Sequence, residues 1–187
     1  MKKRLFIGIR IMPSYELLDF YSKLKQNLLL DKIKWVSAEN FHITLKFLGE
    51  IETSLIPEIK KSVQTVANQT RKFKIQLKGL GQFKKNRSTK VIWLGLSNFE
   101  KINNLAENVM LEMIGLGFEP ENRPYSAHLT IGRVKYVDDE IKLTEMIENF
   151  KDEMFQLSDI ESITLYESIS SLKGLVYIPL YIVDLLK

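Results

Sequence analysis

The chain carries two histidines, and both fall in one pattern of histidine, any residue, threonine, aliphatic: His42-Ile43-Thr44-Leu45 and His128-Leu129-Thr130-Ile131. Imidazoles titrate near neutrality, so one can stand neutral and take a proton while the other stands charged and gives one. That division of labour is general acid–base catalysis. It suits displacement at phosphorus, where a base deprotonates the incoming water or hydroxyl and an acid protonates the departing alkoxide, each transfer worth about 10²–10⁴-fold. Threonine hydroxyls and an imidazolium can also hydrogen-bond phosphoryl oxygens as charge builds on them. A metal is a poorer expectation, because zinc normally takes three or four protein ligands and the chain offers two histidines, no cysteine and no His-x-x-x-His spacing.

Each motif needs a strand to aim it. In "FHITLKFL" (41–48) strict alternation puts Phe41, Ile43, Leu45 and Phe47 on one face and His42, Thr44 and Lys46 on the other. The apolar face turns to the core, and His42 and Thr44 then project side by side, about 7 Å apart. In "SAHLTIGRV" (126–134) the same alternation sends Leu129 and Ile131 inward and leaves His128 beside Thr130.

The flanking elements repeat with the motifs. Strand-like "RLFIGIRI" (4–11), "KVIWLGLS" (90–97) and "VYIPLYIV" (176–183) share the 86-residue offset that separates the histidines. A helical pattern with Leu17, Phe20, Tyr21, Leu24 and Leu28 precedes the first motif, and one with Phe99, Ile102, Leu105, Val109 and Met113 precedes the second. Further helices are expected over 54–69 and 138–150, and strands over 72–79 and 159–166. The unit of strand, helix, motif strand, helix and strand is thus written twice, which points to duplication and to two lobes facing each other across a cleft. No Gly/Ser-rich or Pro-rich linker separates the halves, so they form one folding unit spanning 1–187.

Composition excludes other classes. With 187 residues, 45% hydrophobic, the chain can bury a sizeable core, and a net charge of +4 permits a polyanionic partner without demanding one. The basic cluster is "KKNRSTK" (84–90), read first as a solvated hairpin tip, with contact to an RNA backbone as the lesser alternative. Absence of cysteine fits a reducing cytoplasm. The N-terminal apolar run is broken by Arg10 and reads as a strand rather than a signal peptide, and no stretch has the length of a membrane span.

"FHITLKFLGE" followed by "RPYSAHLTIGR", in order with "RLFIGIRIMP", "WVSAEN", "VIWLGL" and "ITLYESISSLKGLVYIPLY", resembles the 2H phosphoesterases, and within them the RNA 2′,3′-cyclic phosphodiesterases historically called 2′-5′ RNA ligases. The similarity runs nearly the full length. It implies a bilobal, duplicated α+β fold, with an antiparallel sheet in each lobe, helices outside and a central catalytic cleft. It also implies hydrolysis of an RNA terminal 2′,3′-cyclic phosphate to a 2′-phosphomonoester; no cofactor or metal is expected, because side chains supply acid, base and anion binding, and a monomer is expected. Carried over, His42 is the proton donor to the leaving 3′ oxygen, His128 the base that activates water, and Thr44 and Thr130 hold phosphoryl oxygens. Arg133 matches an arginine that often comes after the second motif; strict alternation puts it on the face away from His128, so that role requires a bulge near Gly132. Phe47, Trp93 and Tyr125 are candidates to stack a base. The same acid–base pair runs hydrolysis and ligation alike, so residues alone do not separate those directions. A nucleotide-binding module without turnover is the other alternative, and the intact histidines and threonines favour the enzyme.

Overall fold

The computed structural model describes residues 1–171 and 174–187. Among these residues nine strands, β1 (Lys2–Arg10), β2 (Lys32–Trp35), β3 (His42–Glu52), β4 (Phe73–Lys85), β5 (Ser88–Ser97), β6 (Leu129–Tyr136), β7 (Met154–Ile160), β8 (Ser162–Ser171) and β9 (Gly174–Asp184), form one sheet of order β7-β4-β5-β6-β3-β1-β8-β9, with β2 added on β6. Every strand pairing in it is antiparallel. Four helices accompany it: α1 (Tyr15–Asn27), α2 (Ile56–Ala67), α3 (Glu100–Gly115) and α4 (Glu140–Asn149). Local chemistry sets their ends. Ser14 Oγ accepts from the Leu17 N–H at the start of α1, Asp139 accepts from the Ile141 and Lys142 N–H groups at the start of α4, and Pro57 sits in the first turn of α2.

The strand order mirrors about its centre. Motif strands β3 and β6 lie innermost; next outward come β1 and β5, which the 86-residue offset equates, then β8 and β4. The motif strands pair at one position, Ile43 opposite Leu129, each the residue directly after its histidine. The antiparallel sheet expected in each lobe is therefore one half of a continuous sheet. Both joining residues are 0% exposed and belong to one hydrophobic cluster with Ile7 and Ile92. Helices α2 and α3 pack together, α3 against β3 and α2 against β8 and β9, while α4 covers β4 and α1 meets β7.

Two expectations need correction. The strand placed over 159–166 is two strands: β7 ends at Ile160 against Phe73 of β4, and β8 begins at Ser162 against Asp184 of β9. The break comes from curvature, since the chain steps across one residue from one end of the sheet to the other. Strand β2, four residues between α1 and the first motif, is an addition to the expected elements; pairing with β6 supplies what its length cannot. Among the described residues no helix is long and apolar enough to cross a membrane.

Candidate active site

Each histidine opens or directly precedes its strand, and the carbonyl two residues earlier fixes its ring. His42 Nδ1 lies 2.7 Å from the Asn40 carbonyl and His128 Nδ1 lies 2.8 Å from the Ser126 carbonyl. A carbonyl only accepts, so each Nδ1 carries a proton and donates it, leaving Nε2 as the reactive nitrogen. The rings are wedged alike. Tyr177 and His42 stand nearly perpendicular at 4.9 Å between centroids, and Phe83 and His128 do so at the same 4.9 Å. Phe6 backs His42 at 4.9 Å, and Trp93 stands 6.3 Å from His128. Tyr177 lies on β9 and Phe83 on β4, so the hairpins β8–β9 and β4–β5 each deliver one aromatic ring to one histidine.

Both imidazoles are held below their ordinary pKa of 6.5. Burial is the chief cause in each; the Asn40 and Ser126 carbonyls pull the other way, and the positive charge of Arg133 adds to the lowering of both, with His128 adding further at His42. The antiparallel sense of the Ile43–Leu129 join sets His42 on the Thr130 side and His128 on the Thr44 side.

A β-bulge in each motif strand controls the facing of the residues beyond the histidine. Against β1, Ile7 faces Lys46 and Gly8 faces Thr44, so Leu45 has no partner; against β5, Ile92 faces Gly132 and Trp93 faces Thr130, so Ile131 has none. The two bulges fall three residues after their histidines. Each turns the later side chains through to the other face. Lys46, expected beside His42, is therefore buried at 6% exposure, and Phe47, expected in the core, is 58% exposed. The second bulge supplies the condition Arg133 required: past it, Arg133 is exposed while Ile131 and Val134 are buried. Arg133 has no ion-pair partner among the described residues. Gly132 permits this geometry, since a Cβ there would stand 3.1 Å from both Ile33 and the Trp35 ring of β2.

Three hollows lie around the pair. One of about 500 Å³ lies on the His42 side with Arg10, Asn40, Tyr166 and Tyr177. Another of about 340 Å³ lies on the His128 side with Thr44, Phe47, Phe83, Arg123 and Tyr125. A third of about 370 Å³ shares Tyr177 with the first and Phe47 with the second, and Arg133 lines it. Of the three aromatic candidates, Phe47 and Tyr125 thus border open space. Trp93 instead packs behind His128 over Gly81, where a Cβ would come within 2.2 Å of its ring. Sequence reasoning missed Tyr177 and Phe83 as ring partners of the histidines, and the Asn40 and Ser126 carbonyls. A main-chain carbonyl has no letter in a sequence, though the hairpin tip over 84–90, next to Phe83, and the strand over 176–183, which holds Tyr177, were visible. Among the described residues no three His, Cys, Asp or Glu side chains converge to hold a metal ion.

Comparison with known proteins agrees with this architecture. The family described as LigT like phosphoesterase matches twice, over residues 9–93 and 95–177, once for each repeat of the sequence. An RNA 2′,3′-cyclic phosphodiesterase of Methanocaldococcus jannaschii is 37% identical over 180 residues, covering 93% of this chain and 96% of that protein. A Thermus thermophilus protein of known crystal structure shares the fold with a TM-score of 0.79 at 21% identity, over 97% of each chain. Escherichia coli LigT in its apo form does so with a TM-score of 0.75 at 20% identity, over 100% of this chain and 99% of its own. The chain belongs to the LigT-like phosphoesterase family.

Proposed function

We propose that the protein hydrolyses the 2′,3′-cyclic phosphate end of RNA to a 2′-phosphomonoester, with acid, base and anion binding all supplied by side chains. The observation that carries this reading is the pair of imidazoles whose Nδ1 atoms are both committed to carbonyls, leaving two Nε2 atoms for the reacting centre. The relative from Methanocaldococcus jannaschii bears the name of this activity and supports the substrate.

In the proposed reaction His128 Nε2 takes a proton from water, the hydroxide attacks phosphorus, and the bond to the 3′ oxygen breaks as His42 Nε2 delivers its proton there. The ribose lies on the His42 side, in the larger hollow with Tyr177 and Tyr166. Arg133 and the hydroxyls of Thr44 and Thr130 hold the non-bridging oxygens, where charge accumulates in the transition state. The phosphodiester anion also favours the charged imidazole, offsetting the lowering that burial and Arg133 impose on His42.

The test is hydrolysis of an oligoribonucleotide with a 2′,3′-cyclic end in excess EDTA, with products separated against both phosphate standards. The expected product is the 2′-phosphate at an undiminished rate. A predominant 3′-phosphate reverses the assignment of acid and base. Loss of activity with EDTA, restored by Zn²⁺ or Mn²⁺, overturns the side-chain mechanism.

A further inference from the structure

The segment from Leu116 to His128 has little regular structure, yet its end must be held still, because the Ser126 carbonyl sets the tautomer of His128. Three hydrogen bonds to the opposite motif strand brace it. Lys46 Nζ donates to the Glu119 carbonyl at 3.0 Å and to the Glu121 carboxylate at 2.6 Å, and the Tyr125 hydroxyl donates to the Thr44 carbonyl at 3.0 Å. The bulge at Leu45 is what points Lys46 this way. A reciprocal brace runs towards the first histidine: the Val36 N–H donates to the Ile131 carbonyl at 3.0 Å, and the Tyr21 hydroxyl donates to the Val36 carbonyl at 2.6 Å, just before the turn that carries Asn40. Each motif strand thus holds the segment in front of the other strand's histidine.

Lys46 is the costly member of this arrangement. Its ammonium is nearly excluded from water, a position a charge tolerates only when paired and hydrogen-bonded. A core position on a strand would ordinarily take an aliphatic residue. The lysine spans to a segment 73 residues away in sequence and ties its backbone directly.

We propose that Lys46 is a positioning residue for His128: by pinning Glu119 and Glu121 to β3, it holds the Ser126 carbonyl where that carbonyl fixes the His128 ring with Nε2 towards the reacting centre. The kinetic consequence rests on the acid–base reading given above; the structural consequence does not. A misplacement of about 1 Å at a reacting group can cost 10²-fold in rate.

The chain has two histidines, so a ¹⁵N-labelled sample gives two imidazole patterns and each ring is read separately. Lys46→Met keeps the length and apolar stem and removes every donor. The expected result is that the His128 pattern leaves the pure Nδ1–H form for a mixture of tautomers while the His42 pattern stays put. In an active wild type, kcat on a 2′,3′-cyclic substrate falls about tenfold or more with KM changed less than about threefold. Lys46→Arg, which keeps charge and donors, restores both. Should Lys46→Met fail to fold, Glu121→Ala removes the carboxylate from a half-exposed position and shifts the His128 pattern in the same direction to a smaller extent. An unchanged His128 pattern, an equal shift in both rings, or undiminished turnover overturns the proposal. Absence of cyclic-phosphate hydrolysis in the wild type instead defeats the functional reading, and the imidazole patterns still decide the role of Lys46.

Discussion

Two neutral imidazoles do not make an acid and a base until one of them holds a proton. With both pKa values below 6.5, the free protein has its mixed protonation state on the acid side of that value. The bell of kcat/KM, which reports the free enzyme, is therefore expected to centre below pH 6.5, while the alkaline limb of kcat lies at higher pH because bound phosphodiester favours the imidazolium. A kcat/KM that climbs steadily to pH 8 leaves no role for a charged histidine. Replacement of either histidine by alanine should lower turnover by about 10²–10⁴-fold, and the double variant should be little worse than either single, as groups acting together behave. Stability carries the same sign information. Because the folded pKa values are depressed, the unfolded chain binds protons first as pH falls; the stability contributed by the neutral rings is full above pH 6.5 and is lost as pH drops through the folded values. Urea midpoints should accordingly fall between pH 7 and 5, and His42→Ala or His128→Ala should flatten that slope.

At the scale of elements, the β-bulges separate what the sequence made legible from what it did not. Alternation places His42, Thr44, His128 and Thr130 correctly, because each lies before its bulge. It misplaces Lys46 and Phe47, because a bulge is a property of two strands and only one of them is being read. Arg133 was the useful exception, since the conflict between its expected face and its implied role pointed to the irregularity at Gly132. The β4–β5 hairpin offers a second case. Its tip residues Asn86 and Arg87 have φ of 51° and 64°, a left-handed pair in a two-residue turn for which asparagine followed by glycine is preferred. Arginine at the second position costs about 1 kcal/mol relative to glycine. The same hairpin carries Phe83 to His128 and presents Lys84, Lys85 and Lys90 around its tip. Arg87→Gly should therefore raise the midpoint of thermal unfolding by a few degrees while weakening binding of a cyclic-ended oligonucleotide and lowering the salt dependence of that binding by one phosphate contact. Higher stability with unchanged affinity and salt slope would place the tip away from the RNA.

For the whole molecule, the 86-residue offset made the doubled plan readable, because periodicity survives when the letters diverge. The closing features were not readable: β2 is too short to signal itself, and the break at Glu161 exists only because the sheet curls until its ends approach. Nor does any local signal say that the halves touch at Ile43 and Leu129. That join governs the site, since the histidines precede the two paired residues and their separation is set by the backbones meeting there. Both side chains also lie in the one cluster shared by the halves. Ile43→Ala and Leu129→Ala should therefore each destabilise the protein by about 2–5 kcal/mol, as truncations of fully buried aliphatic residues do. The mirrored setting predicts similar losses for the two. Because each half leans on the other, unfolding should remain a single transition: the His42 signal from one half, the His128 signal from the other and far-UV circular dichroism should give one midpoint in wild type and variants. Separate midpoints for the two histidines would mean that the halves fold independently, and that the spacing of acid and base is held by something other than this join.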